Sequence, residues 1–413
     1  MSVPMETIVI AGAGQAGFQA AASLREAGFS GSLSLVGEEA ALPYQRPPLS
    51  KAYLAGKTDD RGLLLRQESF FAEHRIEHRP GIRVTAIDRA GRSVRLSDGE
   101  DLSYDHLILA TGTRNRALPV PGADLAGVHQ LRSLDDADAL RAAIGGIHRI
   151  VVVGAGFIGL EFAAVCAARG LSVTVIEAAE RVMARAVSPE TSAAFRSFHE
   201  EAGVTFLFGA GVTAIEGEGG RVAAVRTADG KSLPADLVLV GIGVVPNQEL
   251  AAEAGLAVRD GIEIDAFLAT SDPAISAIGD CVRFPSRFAS GMPGGDRVRI
   301  ESVQNAVDQG RCLAARLTGR PAAYDAVPWF WSDQGPRKLQ IAGLAAPTDA
   351  SVLRRAGAGF SVFRFRDDAL SAVESVDRPA DHMAARRLLA AGKALTPEQA
   401  ADPGFDLKAL ATG

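Results

Sequence analysis

Apolar residues along this chain fall into short β-branched runs that break at glycine, and these alternate with stretches whose apolar positions recur every three to four residues. The first run, Ile8 to Ile10, leads straight into Gly12, Gly14 and Gly17, and an Ala-rich segment follows with Ala20, Leu24 and Ala27 on one face. The pattern predicts a strand, a tight turn and a helix, and SLSLVGEE adds a second strand ending at Glu38. The order returns at RIVVVGAGFIGLEFAAVCAARGLSVTVIEAAER. There Ile150 to Val153 read as strand, Gly154, Gly156 and Gly159 as turn, Leu160 to Arg169 as helix, and SVTVIE as a strand ending at Glu177.

Shorter signals mark the joins. HLILATGT ends a strand at Thr111 and Gly112, and RNRALPVPGAD reads as a Pro-rich linker. DLVLVGIGVVPN closes the second unit, and TSDPAISAIGDC places Asp280 at the end of an apolar strand. The Asp-Gly pairs in RLSDGEDLSYD and RTADGKSLPAD predict hairpins. From Tyr324 the chain changes character, with strands in WFWSDQGPRKLQIAGL and FSVFRFRDDALSAVESVD and a helix in DHMAARRLLAAG. Trp329 and Trp331, two residues apart, share a face if that segment is extended.

Each glycine of the repeated turn has a separate physical task. The first permits the sharp turn, the second lets a pyrophosphate touch the backbone, and the third lets helix and strand pack closely. The helix N-terminus then offers unpaired N–H groups and partial positive charge to phosphates. An acid at the end of the next strand accepts hydrogen bonds from a ribose diol. Two copies in one chain suggest one bound dinucleotide and one that exchanges. Glu177 would repel a 2′-phosphate by about 4 kcal/mol at about 4 Å and an effective dielectric of about 20, which favours NADH. Arg181 and Arg185 lie close enough in sequence to accommodate part of such a phosphate.

Composition narrows the class. A length of 413 residues predicts two or three domains, and 47% hydrophobic with 22% charged residues is a globular profile. A net charge of −6 lacks the basic excess that nucleic acid binding requires. Cys166, Cys281 and Cys312 are widely spaced, with no C-x-x-C, so neither a disulfide framework nor a metal site is expected. The N-terminal segment lacks a basic region and a cleavage site, and no apolar run reaches membrane-spanning length, so a cytoplasmic protein without membrane attachment is expected.

The motifs GAGQAG, PYQRPPLSKAYLAGK, LATGTRNR, GAGFIGLE, TSDPAISAIGDC, IESVQNA and WFWSDQG together resemble the FAD-dependent NADH:ferredoxin reductases of bacterial cytochrome P450 and aromatic-ring dioxygenase systems. The resemblance covers essentially the whole chain. It implies an α/β, glutathione-reductase-like fold with two dinucleotide-binding domains and a C-terminal α+β domain. FAD-binding segments would occupy residues 1–115 and 244–322, an NADH-binding domain 116–243, and the C-terminal domain 323–413. It further implies FAD contacts from Gly12, Gly14, Ala16, Gly17, Glu38, Lys51, Val84, Thr111, Gly112, Arg132, Asp280, Val303 and Trp331. NADH would be held by Gly154, Gly156, Gly159 and Glu177. In the family a lysine at Lys51 stabilises the negative charge that hydride transfer leaves on the flavin, and an acid at Glu161 pairs with it beside the stacked rings.

Residues 38 to 57 contain no cysteine, which disfavours the disulfide-reducing and peroxide-reducing relatives of this fold. Electrons are instead expected to leave singly to a [2Fe-2S] ferredoxin, with the enzyme a monomer or weak dimer. An NADH-sensing interaction protein like apoptosis-inducing factor is the distant alternative, and this chain lacks that family's long insertion. Resemblance places basic docking positions at Arg66 and Arg311, with Arg337 and Lys338 as further candidates; each is equally readable as a solvated charge. Gly335, Pro336 and Arg337 depart from the P450-system pattern and lie closer to the dioxygenase reductases. Overall similarity leans to the P450 systems.

Overall fold

The computed structural model describes residues 5–412. The chain divides into two compact units. One combines the chain through Gln45 with Leu64–Arg114 and Val245–Phe330; the other combines Arg46–Leu63, Asn115–Val244 and Trp331–Gly413.

The first unit is built on a five-stranded parallel sheet in the order Ile275–Ala277, His106–Leu109, Thr7–Ala11, Ser32–Gly37, Glu77–Pro80. Ile8, Val9 and Ile10 are buried on both faces, as a central parallel strand requires. The helix Gln15–Glu26 starts directly after Gly14 and packs on the helix Val303–Leu317. Their approach depends on Gly310, because a Cβ there would come within 3.0 Å of the Ala20 backbone nitrogen. The hairpin expected at Asp98-Gly99 forms between Ser93–Leu96 and Asp101–Ser103, with Gly99 at φ +92°.

The second unit repeats the plan with a parallel sheet in the order Thr205–Leu207, Ser172–Ile176, Arg149–Val153, Leu237–Val240, Val128–His129. Its glycine-turn helix runs Phe157–Ala167, beginning three residues before the position expected from apolar periodicity. Gly156 is extended, at φ −79° and ψ 179°, and so serves as the cap, which brings the half-buried Phe157 and the exposed Ile158 into the first turn. The C-terminal part is an antiparallel sheet in the order Trp329–Gln334, Arg337–Gly343, Ala369–Val376, Gly359–Arg366, Ala350–Ala356. The helix Pro379–Ala391 covers it, and Phe363, Phe365, Val373, Ala385 and Leu388 form the core between them. Residues 46–63 pack within this second unit, where the short 3-10 helix Pro47–Ser50 lies against the helix Phe157–Ala167.

Candidate functional site

The two glycine turns are alike in their backbone demands. Gly12 has φ +114° and Gly154 φ +105°, and a Cβ would collide with the Ala110 carbonyl in one case and the Gly241 carbonyl in the other. Gly17 and Gly159 lie so close to the carbonyls of Gly12 and Gly154 that no side chain fits at either. The middle glycines differ from both neighbours. A Cβ on Gly14 would meet nothing within 4 Å, and one on Gly156 would find only the Gly241 carbonyl at 4.0 Å. No side chain caps either helix, so N–H groups of the first turns remain available to an anion. Open backbone in front of an uncapped helix fits a pyrophosphate, twice.

The terminal acids behave differently. Glu38 follows its strand, is 70% exposed, and pairs loosely with Arg83 at 3.3 Å. Glu177 is drawn into its own turn, its Oε2 accepting from the Ala155 N–H at 2.7 Å and its Oε1 from the Ala179 N–H at 2.8 Å. Arg181 donates to the carbonyls of Ala184 and Val187, at 2.8 Å each. Its guanidinium is therefore committed, whereas Arg185 is exposed.

Other expected residues gather around the first turn. Asp280 sits in the 3-10 turn Gly279–Cys281 just beyond the strand end, and Gly279, at φ +83°, lies against Ala16. Gln309 accepts from the Gly279 N–H at 2.7 Å, while its buried amide nitrogen has no partner. An orphaned donor beside the Asp280 turn is the second feature that fits a bound polar group. Val303 opens its helix under a Ser302 cap, and Val84 is buried two residues from Ile82, whose N–H reaches the Gly37 carbonyl. Thr111 and Gly112 are clasped by Asn247, which the sequence reading did not single out. The Thr111 hydroxyl donates to the Asn247 carbonyl at 2.7 Å and the Asn247 amide to the Thr111 carbonyl at 2.8 Å. Asn247 follows Pro246 in the quoted VVPN, a turn signal from which it was recoverable.

In the second unit Lys51 and Glu161 meet, 110 residues apart in sequence, with Nζ to Oε2 at 2.7 Å. The rigid turn Pro47–Ser50 aims Lys51, which also donates to the Pro47 carbonyl at 3.0 Å. Two serines that sequence reasoning passed over complete the carboxylate. Ser50 donates to Oε2 at 2.5 Å and Ser332 to Oε1 at 2.6 Å, and both serines are buried. Glu161 is only 4% exposed, so these donors replace its water. Trp331 is half-buried in the same strand as Ser332, and Arg132 is half-buried, its carbonyl accepting from Arg46 at 2.7 Å.

Burial pushes the Cys166 thiol up to about 12 and raises Cys281 and Cys312 as well, so none is a thiolate at neutral pH. Arg66 and Arg311 are exposed in the first unit. Arg337 and Lys338 each have an acid beside them, Asp377 at 3.0 Å and Asp333 at 3.6 Å, in exposed or half-buried ion pairs. No helix among the described residues is long and apolar enough to cross a membrane.

Two parallel-sheet units, each with a phosphate-ready glycine turn, and a lysine–carboxylate pair define the class as a dinucleotide-dependent oxidoreductase. The model of the family described as pyridine nucleotide-disulphide oxidoreductase matches residues 6–310, and that described as reductase C-terminal matches 329–411. Rhodocoxin reductase of Rhodococcus erythropolis is 54% identical over 97% of this chain and 93% of its own. The ferredoxin–NAD(+) reductase component of the anthranilate 1,2-dioxygenase system of Burkholderia cepacia is 40% identical over 98% of both. The crystal structure of the ferredoxin reductase for the CYP199A2 system of Rhodopseudomonas palustris superposes with a TM-score of 0.95, at 52% identity, over 98% of this chain and 100% of that one. The chain belongs to the pyridine nucleotide-disulphide oxidoreductase family, among its ferredoxin reductases. It is accordingly a flavoprotein that uses FAD and NAD(P)H.

Proposed function

We propose that this enzyme takes hydride from NADH and delivers electrons singly to a [2Fe-2S] ferredoxin that serves a cytochrome P450. FAD supplies the step between a two-electron donor and a one-electron acceptor. The chain's own part is to orient and to set the field. Gly12, Gly14, Ala16, Gly17, Glu38, Lys51, Val84, Thr111, Gly112, Arg132, Asp280, Val303 and Trp331 are assigned to FAD. Gly154, Gly156, Gly159 and Glu177 are assigned to NADH. In domain terms FAD takes residues 1–115 and 244–322, NADH takes 116–243, and 323–413 form the C-terminal domain.

The observation that carries this reading is the Lys51–Glu161 pair, its carboxylate buried among hydroxyl donors and its lysine following a turn that has no cysteine. Lys51, half-buried and fixed by Glu161 and the Pro47 carbonyl, places a positive charge at the edge of a dry site, which is worth most when negative charge develops nearby. Glu161 holds that ammonium in one orientation. The P450 assignment follows the higher identity to the CYP199A2-system reductase, 52% against 40% for the dioxygenase component. A dioxygenase system is the second reading, favoured by the Gly335-Pro336-Arg337 segment. A cytoplasmic location and a monomeric or weakly dimeric state belong to the same proposal.

Turnover tests it. NADH-dependent cytochrome c reduction should require added ferredoxin, and Arg311→Glu should raise the apparent KM for ferredoxin several-fold while NADH–ferricyanide activity holds. No ferredoxin-dependent turnover with any [2Fe-2S] partner, or equal KM values in both forms, would remove the assignment.

A further inference from the structure

Glu161 is the end of a buried chain of donors that runs back through the C-terminal strand Trp329–Gln334. In that strand Ser332 and Gln334 occupy alternate positions on one face, and both are fully buried. Ser332 donates to Glu161 at 2.6 Å and receives the Gln334 amide at 3.2 Å. The Gln334 carbonyl oxygen lies 2.8 Å from Nε2 of His199, on the helix Pro189–Glu201. An amide oxygen only accepts, so Nε2 carries the proton, and Nδ1, which has no partner, is left bare. One donor from each of His199, Gln334 and Ser332 thus points the same way, toward the carboxylate.

Gln334 has a second connection. Its amide also reaches Sδ of Met183 at 3.5 Å, and the Met183 N–H donates to the carbonyl of Ala155 at 2.9 Å. Ala155 lies inside the glycine turn and donates to Glu177. Met183 adopts φ +50°, a conformation that a side chain with a Cβ takes only when its surroundings hold it. One amide group therefore ties the carboxylate that orients Lys51 to the turn assigned to the exchanging dinucleotide.

We propose that Gln334 and Ser332, oriented by neutral His199, are positioning residues: they hold the Glu161 carboxylate, and through it Lys51, in register with the Gly154–Gly156 turn. This rests on the role given to Lys51 and Glu161 above. Burial lowers the affinity of His199 for a second proton, in keeping with a neutral ring. A merely space-filling glutamine would have no need of a directional partner at each end of its amide.

Two measurements decide it. In the intact protein at pH 7, nitrogen chemical shifts of His199, assigned with His199→Phe, should report a neutral ring protonated at Nε2. A ring protonated at Nδ1, or a cationic ring, would overturn the proposal, and this readout does not depend on activity. In the FAD-loaded enzyme, Ser332→Ala and Gln334→Met should each slow flavin bleaching at saturating NADH about tenfold while NADH affinity shifts less than about twofold, because a hydrogen bond feeding a buried charge is lost without a change in the nucleotide's own contacts. Ser332→Thr should restore the rate. Wild-type rates in Ser332→Ala, beside a slow Glu161→Gln, would refute the positioning role and leave the pair's role standing. Wild-type rates in Glu161→Gln itself would instead refute the reading on which it rests.

Discussion

Gly12 and Gly14 stand two residues apart and answer to different physics. Gly12 is confined by φ +114° and by the Ala110 carbonyl, whereas Gly14 is extended and faces open space. Gly14→Ala should therefore leave the melting temperature of the FAD-free protein within a degree or two while the ratio of bound FAD to protein falls, read from flavin absorbance. Gly12→Ala should cost stability outright, about 1–3 kcal/mol from the strained conformation before any collision is counted. Glu177 braces Ala155 and Ala179 through both carboxylate oxygens, and under the proposed assignment its remaining lone pairs would take a ribose. Glu177→Ala should raise the KM for NADH about tenfold or more, the loss of a charged hydrogen-bond acceptor. It should not by itself produce a preference for NADPH, because Arg181 is spent on the carbonyls of Ala184 and Val187 and only the exposed Arg185 is left to meet a 2′-phosphate. Steady-state kinetics with both nucleotides would show it, and an NADPH-preferring Glu177→Ala that loses the preference with Arg181→Ala but keeps it with Arg185→Ala would contradict the commitment of Arg181.

The helix Pro189–Glu201 is held at two points within its unit. At its start Ser188 caps Thr191 and also gives its N–H and hydroxyl to Glu374 of the strand Ala369–Val376, at 2.8 Å each to the nearer oxygen. Farther along the helix, His199 meets Gln334. Glu374 is 1% exposed and is also the carboxylate facing Arg364, at 3.3 Å. Glu374→Ala leaves a buried guanidinium without its counter-charge and should cost about 3–5 kcal/mol. Urea unfolding followed by circular dichroism measures this. Ser188→Ala, which removes the cap and one of the bonds to Glu374, should cost less, about 1–2 kcal/mol.

Across the whole chain, burial lowers the proton affinity of His78, His106, His129, His199 and His382, five of the seven histidines, with His106 near 3 and His382 near 4. Unfolded histidines titrate at about 6.5, so below that pH the unfolded state binds more protons than the folded one. The associated stability is fully present above about pH 6.5 and is lost as pH falls toward the folded values, by about 1.4 kcal/mol per pH unit for each such proton. The urea midpoint should hold from pH 8 to 7 and drop steeply from 6 to 4.5. His106→Gln, whose amide falls near the Nε2 position and can still bond Ser276, should make that drop shallower. A flat midpoint between pH 7 and 5 would show that these rings are not kept neutral by the fold.

Much of the molecule follows from local rules. Strand, turn and helix around each glycine triplet, the Asp-Gly hairpins, and the acids just past their strands were all readable, because φ, side-chain period and N–H availability are properties of neighbours in sequence. Helix Phe157–Ala167 shows where such rules lose resolution, since an extended Gly156 set its start and periodicity did not. Long-range pairing lay beyond them. Ser332 reaches Glu161 across 171 positions, and nothing near either residue announces the other. Arg337 and Lys338 were readable equally as docking positions or as solvated charges, and their partners Asp377 and Asp333 are brought to them only by the fold. Charge and hydrogen-bond energies depend on distance and on excluded water, and both quantities come into being only when remote segments close on one another.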